Sequence, residues 1–180
     1  TINIIGALTT GGWLYLGPTN NMVIDLKPKK NTCQDKTLSL RLLKKSDRKN
    51  VCRWLESPYI LQYSFVVSSK KSLPRDFSTR EYAERYFDMI LSDPKRITWA
   101  LIFNDEHIGN IGLKEIDRRE QKAECFIEIG NTKNRGLGLG QKAMSQLLNL
   151  AYYHYELNEV ELDVLEFNLA AIKVYRRLGF

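Results

Sequence analysis

The sequence predicts one domain of mixed α/β (α+β) class, with a mostly antiparallel central sheet flanked by helices. Three observations predict it. Segments of strand period at 97–103, 107–116 and 123–129 follow one another across short polar turns, and short turns make an antiparallel meander. The apolar spacing then becomes helical at Leu139, Ala143, Leu147, Leu150 and Ala151. Strict alternation returns at 159–164, and Asn168 opens a final helix running to Arg177.

The remaining elements fit that frame in order. Residues 37–42 alternate as a half-buried strand should. Ser46-Asp47 offers an N-cap for a helix carrying Val51, Trp54 and Leu55. Residues 57–77 are rich in Ser, Pro and aromatics and read as a loop with short structured pieces. Ser78-Thr79-Arg80-Glu81 is a capping box. The helix after it is expected to turn Tyr82, Tyr86, Met89 and Ile90 to one face and to stop at Asp93-Pro94. Residues 1–36 mix Gly, Thr and Asn with short apolar runs; they fit an upstream extension, a cloning remnant or the tail of a preceding domain. The domain proper is placed at 37–180.

Composition narrows the function classes. At 180 residues, 43% hydrophobic and 27% charged, the chain has the make-up of a soluble globular domain with one core. No segment approaches the ~20 apolar residues of a membrane span, and Gly11-Gly12 breaks the first apolar run too early for a secretory leader. A cytoplasmic location is expected, with Cys33, Cys52 and Cys125 reduced. There is no C-x-x-C pair and only His107 and His154, so no metal site is expected. His107, heading a strand beside a turn, is expected to be exposed. The net charge of +6 favours an acidic partner. Its basic residues are spread over several turns rather than gathered in one stripe, which argues against nucleic acid.

The most informative segment runs from Ile127 through Lys142. Gly136, Gly138 and Gly140 strip side chains from the junction of a strand with a helix, where free amides and the helix dipole favour an anion. The spacing G-x-G-x-G is not the Rossmann G-x-G-x-x-G, and Gly140-Gln141-Lys142-Ala143 breaks a Walker A loop.

What the loop does match is R-x-x-G-x-G, at Arg135, Gly138 and Gly140. It resembles the coenzyme A pyrophosphate loop of the GCN5-related N-acetyltransferase (GNAT) superfamily, in the branch acting on ribosomal-protein N-termini, polyamines and amino sugars. Residues 123–130 resemble that family's fourth strand. Asn168, Ala171, Tyr175 and Gly179-Phe180 resemble its C-terminal signature.

The resemblance implies acetyl transfer from acetyl-CoA, a co-substrate, to a primary amine by direct attack on the thioester. The acceptor would be a small molecule, amino sugar, polyamine or protein N-terminus. A non-catalytic acyl-CoA-binding module is the alternative. The resemblance assigns cofactor binding to Ile127, Glu128 and Ile129 on the strand, to Asn134, Arg135, Gly136, Leu137, Gly138, Leu139, Gly140 and Gln141 in the loop, and to Asn168 and Ala171. Tyr175 takes the role of general acid, and its helix stripe with Asn168 and Ala171 agrees with this. Glu124 is the first candidate for general base and Glu128, on the same strand face, the second. Trp54, Tyr59, Tyr63 and Phe65 are candidates to line the acceptor pocket. Family members usually continue beyond the Gly-Phe pair into one more strand. Here that strand is expected to be missing or replaced by residues 1–36 or by another chain, and an open edge would favour a homodimer.

Overall fold

The turn at Asn104 and Asp105 sets the register of the sheet. Both residues have positive φ, 50° and 63°, the geometry of a two-residue hairpin turn that Asn and Asp tolerate better than most side chains. It joins β4 (Ile97–Phe103) to β5 (Glu106–Asp117), and a four-residue turn leads on to β6 (Lys122–Ile129). The computed structural model describes residues 2–7, 24–25, 38–61 and 78–180. Four more strands complete one sheet: β1 (Ile2–Ala7), β2 (Ile24–Asp25), β3 (Leu38–Leu42) and β7 (Glu159–Val164). Their order is β1-β7-β6-β5-β4-β3-β2. Only β6 and β7 run parallel.

Helices cover both faces. On one lie α4 (Leu139–Tyr153) and α5 (Leu169–Arg177). Ala143, Met144, Leu147, Leu148 and Ala151 of α4 are buried with Trp99, Leu101, Ile111 and Leu113 of the sheet. Each large side chain buried there stabilises the fold by about 1.5–3 kcal/mol over exposure. On the other face lie α1 (Arg48–Leu55), the single turn α2 (Pro58–Leu61) and α3 (Thr79–Ser92), around Val51, Trp54, Ala83, Phe87 and Ile90.

Ser78 caps α3 by accepting the Glu81 amide at 3.2 Å, as the box predicts. The buried stripe of α3 is Ala83, Phe87 and Ile90, however, while Met89 is 39% exposed and Tyr82 half-buried. The expected Tyr82–Met89 face therefore needs rotating, because the small Ala83 lets α3 approach α1. Asp47 precedes α1 but makes no side-chain cap. Its carboxylate is buried and pairs with Arg41 instead. Tyr63 and Phe65 lie outside the described residues, as does the side chain of Tyr59.

The edge of β7, expected to lack its partner strand or to gain one from residues 1–36 or another chain, is paired antiparallel by β1, from Ile2↔Val164 to Ala7↔Glu159. That pairing removes the reason for placing a second protomer there. Among the described residues no helix is long and apolar enough to cross a membrane.

Candidate active site

The glycine segment is held rigidly to β6. Gly130 has no room for a Cβ because the Trp54 ring packs there. Asn131 Oδ1 then accepts the Lys133 amide at 3.1 Å and caps a short 3-10 turn, Thr132–Asn134. The Arg135 guanidinium folds back on the strand, donating to the Ile129 carbonyl from Nε at 3.0 Å and Nη2 at 2.7 Å. It is thus a brace for the loop, and its amide closes the same turn on the Thr132 carbonyl at 3.2 Å.

Gly136 and Gly138 both have φ +74°, a conformation that side chains resist. A Cβ at either would meet nothing within 4 Å, so the space outside them is clear. Gly138 is the N-cap of α4, and the first intrahelical bond runs from Lys142 N to Gly138 O at 3.1 Å. The amides of the turn before Lys142 have no carbonyl within the helix to bond. Gly140 differs. Its φ is not positive, and a Cβ there would lie 3.6 Å and 3.9 Å from Ile129 and Ile127, ordinary contact. Neither backbone nor packing demands glycine at 140.

Beside this loop the sheet splits. β6 pairs with β7 only at Lys122↔Glu159, Ala123↔Val160 and Glu124↔Glu161. From Cys125 to Ile129 it keeps β5 on one side, as far as Gly109↔Ile129, and among the described residues has no partner on the other. A length of strand edge, Ile127 and Ile129 included, runs open toward the N-terminus of α4.

Across the gap stands α5. Asn168 caps it, its Oδ1 accepting the Ala171 amide at 3.3 Å. Ala171 is half-buried, and Tyr175 is 8% exposed with its ring 6.1 Å from that of Phe180. Burial pushes the Tyr175 hydroxyl far above the ordinary phenol range, and the nearby Cys125 adds to this. Burial likewise raises the Cys125 thiol to about 12. Tyr175 therefore stays protonated at any working pH.

The even-numbered residues of β6 face α1 and α3. Glu124 is tied to Lys114 at 2.6 Å. Glu128 is different: its Oε1 is buried with no hydrogen-bond partner, although the residue as a whole is only half-buried. Burial raises this carboxyl to about 7 against the opposing pull of Arg135. Burial, and then the charge of Glu128, raise the Tyr86 hydroxyl to about 12. Arg96 lies over the Phe126 ring at 5.0 Å.

The fold thus sets the open edge of β6 beside the glycine turn at the start of α4, with Tyr175 of α5 near Cys125 of β6. Glu128 and Tyr175 lie on opposite faces of β6. Leu139 turns its side chain into the core, leaving its amide for the site. His107, expected at the surface, is 8% exposed under Trp54, at 4.8 Å between ring centroids. Sequence reasoning missed Asn110, which sits opposite Glu128 across β5 and β6, and Tyr86 beside it. The flanking Gly109 and Gly112 hinted at a crowded stretch, but the strand register carried the information. Among the described residues no three His, Cys, Asp or Glu gather as a metal site.

Chemically, the arrangement offers helix-start amides for an anion and strand amides for an extended polar chain. It adds a carboxyl that half-ionises near neutrality on one face and a phenol that stays protonated on the other.

The sequence profile of the acetyltransferase (GNAT) domain family matches residues 37–180. An uncharacterized N-acetyltransferase, p20, of Bacillus licheniformis is 25% identical over 157 residues, covering 83% of this chain and 82% of its own. Aminoglycoside N(6')-acetyltransferase type 1 of Klebsiella pneumoniae is 23% identical over 159 residues, 83% and 76% of the two chains. The crystal structure of a spermidine N-acetyltransferase from Vibrio cholerae, in complex with CoA and spermine, superposes with a TM-score of 0.65. It is 22% identical and covers 79% of each chain.

Proposed function

The chain belongs to the acetyltransferase (GNAT) domain family, and from that premise we propose that it moves the acetyl group of acetyl-CoA to a primary amine by direct attack on the thioester. The observation that carries this is the opening of β6 from β7 directly in front of the glycine-capped start of α4. A pyrophosphate fits the amides of residues 136–141, where the helix dipole adds its attraction. The pantetheine arm fits the open edge at Ile127 and Ile129. Asn168 and Ala171 face the same gap. Acetyl-CoA supplies the activated acyl group.

The chain's own groups do the rest. An amide of the β6 edge donates to the thioester carbonyl oxygen, where negative charge develops. Glu128 takes a proton from the ammonium form of the acceptor. Its carboxyl, held near 7, is matched to that task at neutral pH. Glu124 is less suited, since Lys114 already holds it as a paired carboxylate. Tyr175 gives its proton to the departing sulfur from the other face of β6. Residues 37–180 form the catalytic unit in this reading, and residues 1–36 add edge strands to its sheet.

The acceptor is a cationic primary amine. The named substrates of relatives, an aminoglycoside and spermidine, are of this kind, and the buried carboxyl of Glu128 suits an ammonium group. Release of free thiol from acetyl-CoA, measured across spermidine, kanamycin, glucosamine and an N-terminal peptide, tests the proposal. Amine-dependent release by the native chain, reduced at least tenfold in Glu128→Gln, is expected. Acetyl-CoA binding with no release for any amine would favour the binding-module reading.

A further inference from the structure

Around Phe126, on the face of the sheet toward α1 and α3, three buried polar atoms have no hydrogen-bond partner: Glu128 Oε1, Arg96 Nε and Thr98 Oγ1. Arg96 stands just before β4 and Thr98 within it, two residues apart and so on one face. Thr98 is in register with Gly112 of β5, and Gly112 with Phe126 of β6. Phe126 and Glu128 share that face, about 7 Å apart. Gly112 makes room for the Phe126 ring, since a Cβ there would come within 2.7 Å of it. The ring thus lies across β5 toward β4, where the Arg96 guanidinium covers it at 5.0 Å from the centroid.

Arg96 is poorly served for a buried cation. Its side chain is 8% exposed, and its ion pair among the described residues is with Asp93 Oδ2 at 3.7 Å, too long for a hydrogen bond. Asp93 Oδ1 is spent on the Lys95 amide at 2.9 Å. Asp93 balances part of the charge, yet Nε–H still lacks an acceptor, and leaving a charged donor unsatisfied costs more than leaving a neutral one. Nor do Arg96 and Glu128 satisfy each other, since Nε and Oε1 are both without a partner. Tyr86 of α3 lies within reach of the two: its ring is 6.0 Å from the guanidinium. Burial raises its hydroxyl to about 12, the charge of Glu128 adds to the rise, and Arg96 opposes it. Lys114 and Glu124, on the same face, are matched to one another at 2.6 Å. What is left is one unsatisfied cation and one unsatisfied carboxyl, held apart by an aromatic ring.

We propose that Arg96 and Glu128 form a two-point site for an acceptor that is itself a zwitterion, an aminocarboxylate whose carboxylate pairs with Arg96 and whose ammonium pairs with Glu128 across the Phe126 ring. The Arg96 Nε–H gains its missing acceptor and Glu128 Oε1 its missing donor. The Thr98 hydroxyl adds a second donor on the carboxylate side. An amine without an anion satisfies Glu128 alone and leaves Arg96 as it stands. The substrate class is therefore an amine that carries a carboxylate, with a free amino acid its simplest member. The inference rests on the reading of Glu128 as the group that meets the acceptor amine, and the test separates the two.

Calorimetric titration of the full chain, with coenzyme A present, reads the affinity for three ligands. They are free lysine, cadaverine, which lacks the carboxylate, and lysinamide, which keeps the shape without that charge. Lysine is expected to bind about tenfold or more tightly than either, the scale of one hydrogen bond between charged groups. Arg96→Met keeps an unbranched stem against the rings and should erase the difference. Arg96→Lys keeps the cation without the planar fork and should retain part of it. Cooperative thermal unfolding checks that each variant folds. Independently of Arg96→Met, the Arg96 Nε–H signal of the nitrogen-15-labelled chain, identified by its loss in Arg96→Lys, should move with lysine and stay in place with cadaverine. Equal affinities in the native chain, no binding of lysine, a preference that survives in folded Arg96→Met, or an Nε–H signal unmoved by lysine overturns the proposal. Full turnover in Glu128→Gln would instead remove Glu128 as base while leaving the lysine preference readable.

Discussion

A carboxyl that ordinarily titrates near 4.5 is held at about 7 in Glu128, and the direction of that shift has a measurable consequence. Burial favours the neutral form, so the folded state bears a penalty that grows as pH rises from 4.5 and is complete above 7. The penalty is of order 3 kcal/mol. Glu128→Gln should therefore stabilise the protein at pH 8, have little effect below pH 4.5, and still slow turnover. Thermal unfolding at the two pH values checks it. His107 acts in a neighbouring window with the opposite sign. Its pKa is lowered from 6.5, chiefly by burial, so the unfolded chain binds the proton first and stability falls as pH drops below 6.5. His107→Gln should flatten that acid-side loss. On the other face of β6, Tyr175→Phe should cut kcat by about 100-fold or more, the usual scale for a general acid, with acetyl-CoA binding retained. Single-turnover rates beside binding titrations check this. The resemblance singled out Tyr175 and Asn168 in the sequence, and spacing alone puts them on one helix stripe. The choice between Glu124 and Glu128 was not. Alternation places both on one face, but only strand register brings Lys114 to Glu124 and Asn110 to Glu128. His107 was misread for the same reason, since its partner Asp47 comes from a distant segment.

At the scale of elements, the glycine turn makes two separable predictions. Gly138 needs its positive φ, so Gly138→Ala should destabilise the chain by about 1–2 kcal/mol. Gly140 needs neither its φ nor its space, so Gly140→Ala should leave unfolding unchanged or raise its midpoint slightly while weakening acetyl-CoA binding. A variant pair that lost stability equally would contradict this division. Most elements from 38 onward were readable, because period two, period 3.6 and capping residues each act locally. The buried face of α3 was read one position off, since small Ala83 counts little in a hydrophobic pattern yet permits close helix packing. The split of β6 from β7 left no trace in sequence. The alternation of 123–129 runs on unbroken while the pairing stops at Glu124.

For the whole molecule, the sheet is closed at β7 by β1, a pairing between the first and last described strands. Short mixed segments such as 1–7 carry no pattern that names their partner, and that pairing was open among several outcomes. Removing residues 1–7 would bare the backbone groups along β7, and self-association should follow, seen as a rise in mass by light scattering. The central claim, that the chain holds acetyl-CoA in the gap between β6 and β7 with its phosphates on the glycine turn, is tested most directly by calorimetric titration of acetyl-CoA into the native chain and Gly140→Ala at matched thermal stability. The account predicts one saturable site in the native chain and at least tenfold weaker binding in the variant. Equal affinity in both, or no binding to the native chain, would contradict it.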